Sequence, residues 1–250
     1  MFYEDDRLVG FLAIYCFLST EVEISGMVHP DSRRQGLFSQ LSKAAIEECR
    51  RREIPKLIFI NERGSHSGKA FLSSLGAQYG FSEYVMDLQE PVKLAPSSSD
   101  ERVTIRPAQV TDTELLVTLN QSGFNMPEED AREYVSQTMT GDKEWTWIAE
   151  LGNRKVPIGK IGAMMEEGGR GLIYGFCVSP VVRGKGYGRQ ILRLTIEALQ
   201  QDHDVTFIHL EVAVENEKAL GLYESCGFKT KNANDYYELL LSSKAQQNKG

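Results

Sequence analysis

The chain has 250 residues, of which 41% are hydrophobic and 25% are charged, and its formal net charge is −7 at pH 7. These values exclude collagen-like and low-complexity chains, and the length suits one large domain or two of about 100–150 residues. Because the chain is acidic overall, we expect neither nucleic acid nor a membrane surface among its partners.

The first predicted element is a buried strand at residues 8–18, an apolar run that is too short to span a bilayer. The elements that follow are a strand at 22–28, a turn at 29–30, a basic loop at 33–36, a helix to residue 52, a strand at 56–60 and a short helix ending near Gly76. Residues 91–100 are rich in Pro and Ser and lack a periodic apolar face, which predicts an interdomain linker.

The remainder of the chain alternates strand and helix patterns. The predicted elements are a strand at 103–106, helices at 111–120 and 128–139, strands at 145–150, 156–165 and 171–178, a loop at 183–189, a helix to residue 201, a strand at 207–214 and a short helix ending near Gly227. Residues 244–250 are predicted to be a disordered tail.

The two halves repeat one order of elements, namely a strand, a short Pro turn, a basic glycine-containing loop and a long helix. The second half has an opening strand and two helices that the first half lacks. The sequence therefore predicts an incomplete, degenerate domain at residues 1–90 and a complete domain at residues 101–243.

The four cysteines do not form a CxxC pair, and histidines are absent from ligand spacing around them. They are Cys16, Cys49, Cys177 and Cys226. This spacing argues against a zinc site and a disulfide framework. We therefore expect no metal and a reducing, cytoplasmic location.

The loop at residues 183–189 places three glycines between a predicted strand and a predicted helix. Glycine allows close approach, and the first turn of a helix leaves backbone N–H groups unpaired, so this junction suits a polyphosphate. Gly186 follows Lys185, which excludes the ending of a P-loop, and the order of a dinucleotide-binding fingerprint is missing. The glycines could also serve only as turn formers.

Two groups of residues together resemble the signature of the GNAT N-acetyltransferase superfamily. The first is Arg183-x-x-Gly186-x-Gly188, and the second comprises Leu210-Glu211-Val212, Asn216, Ala219, Leu222-Tyr223-Glu224 and Gly227-Phe228. The resemblance is good over residues 103–241 and looser over 1–90. It implies an α/β (α+β) fold class with two tandem GNAT folds, each a twisted mixed sheet flanked by helices. It also implies that the strands near 173–178 and 208–214 splay apart.

The resemblance implies acetyl-CoA as co-substrate and residues 101–243 as the catalytic domain. The pantetheine arm would pair with the backbone of Phe176, Cys177 and Val178. The pyrophosphate loop would comprise Arg183, Gly184, Lys185, Gly186, Tyr187, Gly188 and Arg189, and Asn216 would border the thiol end.

The catalytic candidates are Glu211 as general base and Tyr223 as general acid. In relatives similar to ribosomal-protein alanine N-acetyltransferases, a glutamate five residues before the Asn is the base, and Glu211 and Asn216 reproduce that spacing. Glu211 could instead be a solvent-facing strand residue or pass the proton to another carboxylate through water. Tyr223 could instead only pack on its short helix.

The first half departs from this pattern at the positions that would perform chemistry. Phe38 stands at the position of Gly188, Ile58 or Phe59 at that of Glu211, and Leu72 or Phe71 at that of Tyr223.

These residues are compatible with two functions. The leading one is an acetyl-CoA-dependent N-acetyltransferase that transfers acetyl to a primary amine, on a small molecule or a protein N-terminus, by direct attack. The alternative is a non-catalytic acyl-CoA-binding or regulatory module. A monomer or a homodimer is compatible with either.

Overall fold

The computed structural model describes residues 1–16, 18, 20–89, 102–139, 141, 143–203 and 205–241. The predicted linker at 91–100 and the predicted tail at 244–250 lie outside these residues. Within the described ranges, no helix combines the length and the apolar character that a membrane crossing requires.

The chain forms two compact units, which do not coincide with the predicted consecutive segments 1–90 and 101–243. Unit 1 comprises residues 1–82 and the described residues from 233 onward, and unit 2 comprises residues 83–232. The chain changes unit inside two long strands, β5 (Gln78–Leu88) and β11 (Phe228–Leu240). The physical reason is backbone pairing, because the end of β5 hydrogen-bonds in unit 2 and the end of β11 in unit 1.

Unit 1 has a sheet with the strand order β1-β2-β3-β4-β11. Its elements are β1 (Phe2–Glu4), β2 (Arg7–Tyr15), β3 (Glu21–Val28), α1 (Leu37–Arg51), β4 (Lys56–Glu62), α2 (His66–Leu75), the first part of β5 and the second part of β11. The buried face of α1, with Ala45, Ile46 and Cys49, packs on Leu57 and Phe59 of β4. Spacing of apolar residues three and four apart gives the helix this single buried face.

Unit 2 has a sheet with the strand order β5-β10-β9-β8-β7-β6. Its elements are the second part of β5, β6 (Val103–Pro107), α3 (Thr113–Phe124), α4 (Glu128–Thr138), β7 (Glu144–Leu151), β8 (Val156–Glu166), β9 (Arg170–Val178), α5 (Tyr187–Asp202), β10 (Phe207–Ala213), α6 (Glu217–Glu224) and the first part of β11. The predicted mixed α/β fold, with a sheet flanked by helices, is confirmed.

Alternation along β7 separates the two faces of the unit 2 sheet. Trp147 and Ala149 belong to the main core with α5, whereas Ile148 packs with Leu116 of α3 and Val135 of α4. Successive strand residues point to opposite faces, so helices cover both sides of the sheet.

The parallel strands at the centre of each unit part from one another. In unit 2 the pairing of β9 with β10 ends at Ile173 and Leu210, although β9 continues to Val178 and β10 to Ala213. In unit 1 the pairing of β3 with β4 ends in the same way at Ile24 and Phe59. These ends give each unit a backbone edge that faces an opening between two strands.

The packing of α3 on β9 yields a stability prediction. A Cβ atom at Gly123 would lie 2.7 Å from Cys177 Cβ and 2.9 Å from its Sγ. We expect Gly123→Ala to lower the free energy of unfolding by about 1–3 kcal/mol, because the helix must move away from the strand. Gly221→Ala is the control, since a Cβ at Gly221 would meet no atom within 4 Å. Denaturant unfolding of the full chain measures both, and equal stability of the two variants would contradict the prediction.

Candidate functional site in unit 2

The predicted phosphate loop has a backbone that suits an anion. Gly184 and Gly186 have φ angles of +79° and +82°, and a Cβ at either would meet no atom within 4 Å. Gly186 is the N-cap of α5, and no side chain caps the helix start. The N–H groups of the first turn are therefore open to a ligand, and the loop fits a pyrophosphate in charge and in space.

Charged and aromatic side chains of this loop have different roles. Arg183 donates from Nε to the carbonyl of Val178 at 2.8 Å, which holds the loop against the end of β9. Arg189 donates from Nε to Ser225 Oγ at 2.8 Å, and Lys185 is exposed. Tyr187 is buried in the main core, so its side chain does not face a ligand at this loop.

The start of α5 lies against the end of β9. A Cβ at Gly188 would lie 3.3 Å from Leu222 Cδ2 and 3.7 Å from atoms of both Phe176 and Val178. The glycine loop and the unpaired edge of β9 are thus neighbours. A ligand with an anionic group and an extended arm fits this arrangement.

Cys177 points away from this loop, toward α3. Its thiol is buried and lies 3.6 Å from the carbonyl oxygen of Leu119. Desolvation raises the pKa of Cys177, so the thiol stays protonated and unreactive. Its contribution to a ligand would come from the backbone alone.

Glu211 occupies the first position of β10 beyond the pairing with β9. Its neighbours Leu210 and Val212 are buried in the main core, whereas Glu211 is exposed on the opposite face. On its other side Glu211 pairs with Val85 of β5. The carboxylate therefore lies at the fork of the two strands and on a solvent-accessible face. This position is compatible with a general base and also with a solvent-facing strand residue.

Asn216 and Tyr223 lie on α6. Asn216 is the N-cap, and its side-chain oxygen accepts a hydrogen bond from the N–H of Ala219 at 3.2 Å. Tyr223 is 8% exposed and packs edge-to-face on Phe228 with ring centroids 6.0 Å apart. Burial raises the pKa of Tyr223 to about 12, so its hydroxyl is a proton donor at neutral pH.

Unit 1 repeats the backbone of this site without its reactive side chains. Gly36, with φ +80°, is the N-cap of α1 as Gly186 is the N-cap of α5. Phe38 is therefore the equivalent of Gly188. Arg33 donates to the carbonyl of Val28 at 3.0 Å, as Arg183 does to Val178. The internal repeat predicted from the sequence therefore extends to individual hydrogen bonds.

The equivalents of the catalytic candidates in unit 1 follow from register and caps. Ile60 follows the last β3–β4 pair as Glu211 follows the last β9–β10 pair, so the sequence assignment to Ile58 or Phe59 is shifted by at least one residue. Ser65 caps α2 as Asn216 caps α6, and seven residues later the chain has Leu72. These two counterparts lack a titratable group.

A cavity of about 980 Å³ lies in unit 1 at the fork of β3 and β4. Its lining includes the edge of β3 beyond Ile24, the basic residues Arg33 and Arg34, and Phe38. Phe38 packs edge-to-face on Phe71 with ring centroids 5.0 Å apart. The bulky side chain thus forms part of the wall and leaves the cavity open.

More than half of the chain matches one protein-family model. The model of the Acetyltransferase (GNAT) family matches residues 1–76 and 114–228. The chain belongs to the GNAT family. The matched segments correspond to both halves of the predicted repeat.

Individual GNAT proteins resemble the chain in sequence or in fold. N-alpha-acetyltransferase 30 of Saccharomyces cerevisiae is 36% identical over 92 residues, 34% of this chain and 52% of that protein. The chain thus spans about half the length of this curated relative. A GCN5-related N-acetyltransferase from Sphaerobacter thermophilus has a TM-score of 0.74 at 18% identity, covering 94% of this chain and 78% of that one. A tandem GNAT protein from the clavulanic acid biosynthesis pathway has a TM-score of 0.70 at 16% identity, covering 95% and 81%.

The two solved structures support the two-copy GNAT fold. No cluster of three or more metal-binding side chains occurs in the part of the chain that the structure describes. Lys160, a lysine that is 4% exposed, lies outside the sequence-based set of site residues. A lysine inside the apolar run 156–165 was the signal that could have found it.

Proposed function

We propose that unit 2 is an acetyl-CoA-dependent N-acetyltransferase that acts on a primary amine by direct attack. The observation that carries this proposal is the joint placement of three features. The fork of β9 and β10, the uncapped glycine start of α5 and the carboxylate of Glu211 all belong to one end of the parallel strand pair. A small-molecule amine and a protein N-terminus both remain acceptor classes, the second supported by the yeast relative's name and by the Glu211–Asn216 spacing.

The residues of unit 2 divide the binding tasks. Backbone groups from Gly184 to Gly188 would hold the pyrophosphate, and the free edge of β9 from Phe176 to Val178 would pair with the pantetheine arm. Lys185 and Arg189 add positive charge near the phosphates. Bound acetyl-CoA would supply the acetyl group as an activated thioester.

Glu211 and Tyr223 divide the proton transfers. As the acceptor nitrogen bonds to the acetyl carbon, Glu211 accepts the proton that nitrogen loses, directly or through water. Tyr223 offers its phenolic proton to the sulfur as the carbon–sulfur bond breaks. With a phenol pKa of about 12 against about 8.5 for a free thiol, full transfer is uphill by roughly 5 kcal/mol. Tyr223 therefore contributes chiefly as a hydrogen-bond donor to the developing thiolate.

Thiol release from acetyl-CoA tests this function. The full chain is incubated with peptides that have free N-termini, polyamines, amino acids and amino-acid amides, and free CoA and acetylated product are both quantified. We expect CoA release that depends on the amine and matches the acetylated product one to one. Binding of acetyl-CoA without turnover of any amine would favour the non-catalytic module instead.

A second candidate function, restricted to unit 1, rests on the cavity of about 980 Å³ at the fork of β3 and β4. We propose that this cavity binds an acyl-CoA without catalysing its reaction. The cavity is lined by a strand edge, by two arginines and by Gly36 at the start of a helix, which are the kinds of group that form the glycine loop of unit 2. Ile60 and Leu72 stand where unit 2 has its proton-transfer groups. Calorimetric titration with acetyl-CoA tests this proposal, because it counts the binding sites in the chain.

A further inference from the structure

A buried lysine of unit 2 carries a charge that no described residue pairs. Lys160 of β8 is 4% exposed, and its Nζ makes neither a hydrogen bond nor an ion pair within the described ranges. Its nearest groups are aromatic, because Nζ lies 4.9 Å from the ring centroid of Tyr134 and 5.5 Å from that of Phe124. Desolvation lowers the pKa of Lys160 to about 8, so a charged form at neutral pH lacks the counter-charge that burial demands.

A bulge in β9 brings a hydroxyl group to this lysine. Lys160 pairs with Cys177, and beyond this pair β9 has one more residue than β8 before the ladder resumes. The bulge contains Gly175, with φ +55°, where a Cβ would lie 2.8 Å from Tyr134 Oη and 3.2 Å from Lys160 Nζ. A missing side chain at this glycine thus leaves room for an ammonium and a phenol side by side.

Tyr174 adds a second phenol on the same face. Its hydroxyl oxygen is buried without a hydrogen-bond partner among the described residues. Burial, with Glu144 nearby, raises the pKa of both Tyr174 and Tyr134 well above the usual range for phenols. Both hydroxyls therefore keep their protons and can donate them to an acceptor atom.

The cluster lies next to the partly exposed end of α3. Phe124, the last residue of that helix, is 43% exposed, and Tyr134 is half-buried. The segment after Phe124 turns at Asn125, which has φ +54°, before α4 begins. A ligand that binds against the exposed part of Phe124 would approach the ammonium group, which lies 5.5 Å from the ring centroid.

We propose that Lys160, Tyr134 and Tyr174 form a subsite that binds a carboxylate group of the acceptor. A cation with two hydroxyl donors is suited to an oxyanion. Lys160 supplies one positive charge, which matches a singly charged carboxylate, and the negative charge of Glu144 beside the two phenols disfavours a phosphate dianion.

The sheet geometry links this subsite to the proposed base. Leu210 pairs with Ile173, and both face the main core, so Glu211 faces the other side. Lys160 and Cys177 also face that other side, where α3 packs. An acceptor with its amine toward Glu211 and its carboxylate toward Lys160 must carry both groups, and an amino acid is the simplest molecule that does. This substrate class rests on the acetyltransferase function proposed above.

The experiment compares acceptors that differ only in the carboxylate. Alanine, leucine, lysine and glutamate are each offered to the full chain as the free acid and as the α-carboxamide. We expect the wild type to prefer the acid, and Lys160→Met to raise KM for the acid about 10- to 100-fold with little change in kcat. The amide should be unaffected by the substitution. Lys229→Met, at an exposed lysine of β11, is the control.

Two further measurements keep the proposal separable from folding and from the proposed function. Tyr134→Phe should raise KM for the free acid less than Lys160→Met does. Thermal unfolding of each variant verifies its fold. Binding of N-acetylamino acids, measured by NMR, should be present in the wild type and lost in Lys160→Met even if no amine is acetylated. Equal KM values for acid and amide in the wild type, or a Lys160→Met effect common to both, would overturn the carboxylate subsite; so would the absence of N-acetylamino acid binding.

Discussion

Replacing Tyr223 with phenylalanine is expected to lower kcat about 100-fold while the affinity for acetyl-CoA changes little. Removing one hydrogen-bond donor to a developing anion typically costs about 10²- to 10³-fold in kcat, and only the hydroxyl is removed. The phenyl ring that remains at this position would keep the edge-to-face contact with Phe228, so the fold of α6 should persist. Steady-state kinetics with the best acceptor measure kcat, and calorimetry measures the affinity.

The pH dependence separates a protonated hydrogen-bond donor from a group that titrates between about pH 8 and 10. Because burial raises the pKa of Tyr223 to about 12, the phenol remains protonated as the pH rises through 8, 9 and 10. Tyr223→Phe should therefore lower the rate by a similar factor across that interval without moving the pH limbs. Tyr237→Phe is the control, since Tyr237 is an equally buried tyrosine of unit 1. Wild-type kcat in Tyr223→Phe would reject the role of hydrogen-bond donor to the leaving thiolate.

Gly188→Val is expected to weaken acetyl-CoA binding by 10-fold or more in unit 2. A Cβ added at this position would lie 3.3 Å from Leu222 and 3.7 Å from Phe176 and Val178. The two methyl groups of valine would extend into the space between the start of α5 and the end of β9, where the phosphates and the arm would meet. Valine is not less compatible with a helix than glycine, so the helix should form.

Calorimetric titration with acetyl-CoA gives both affinity and stoichiometry. Gly221→Val is the matched control, because it places the same side chain on α6 where a Cβ would meet no atom within 4 Å. If the cavity of unit 1 binds acyl-CoA, the wild type takes up two equivalents and Gly188→Val retains one tight site. A single equivalent in the wild type would remove the second candidate function, and unchanged affinity in Gly188→Val would reject the assigned loop.

Local features of this fold could be read from the sequence because their causes are local. A glycine with a positive φ angle starts α1 and α5, and the same Pro turn and arginine precede each helix. Steric limits and backbone capping act within a few residues, so the repeat of strand, turn, loop and helix was predictable from residue order. Local patterns likewise predict Glu211 inside a strand and Tyr223 on a short helix, whereas their roles in proton transfer are implied only by the resemblance to the GNAT family.

Long-range pairing was decided only in the tertiary structure. Neither β5 nor β11 is among the elements predicted from the sequence, and the two ends of each strand belong to different units. Register also decides equivalence, because a shift by one residue moves a side chain to the other face, and Ile60 rather than Phe59 is the unit 1 counterpart of Glu211. The environment of Lys160 is also tertiary, because a bulge in β9 and two helices distant in sequence together remove its water and leave its charge unpaired.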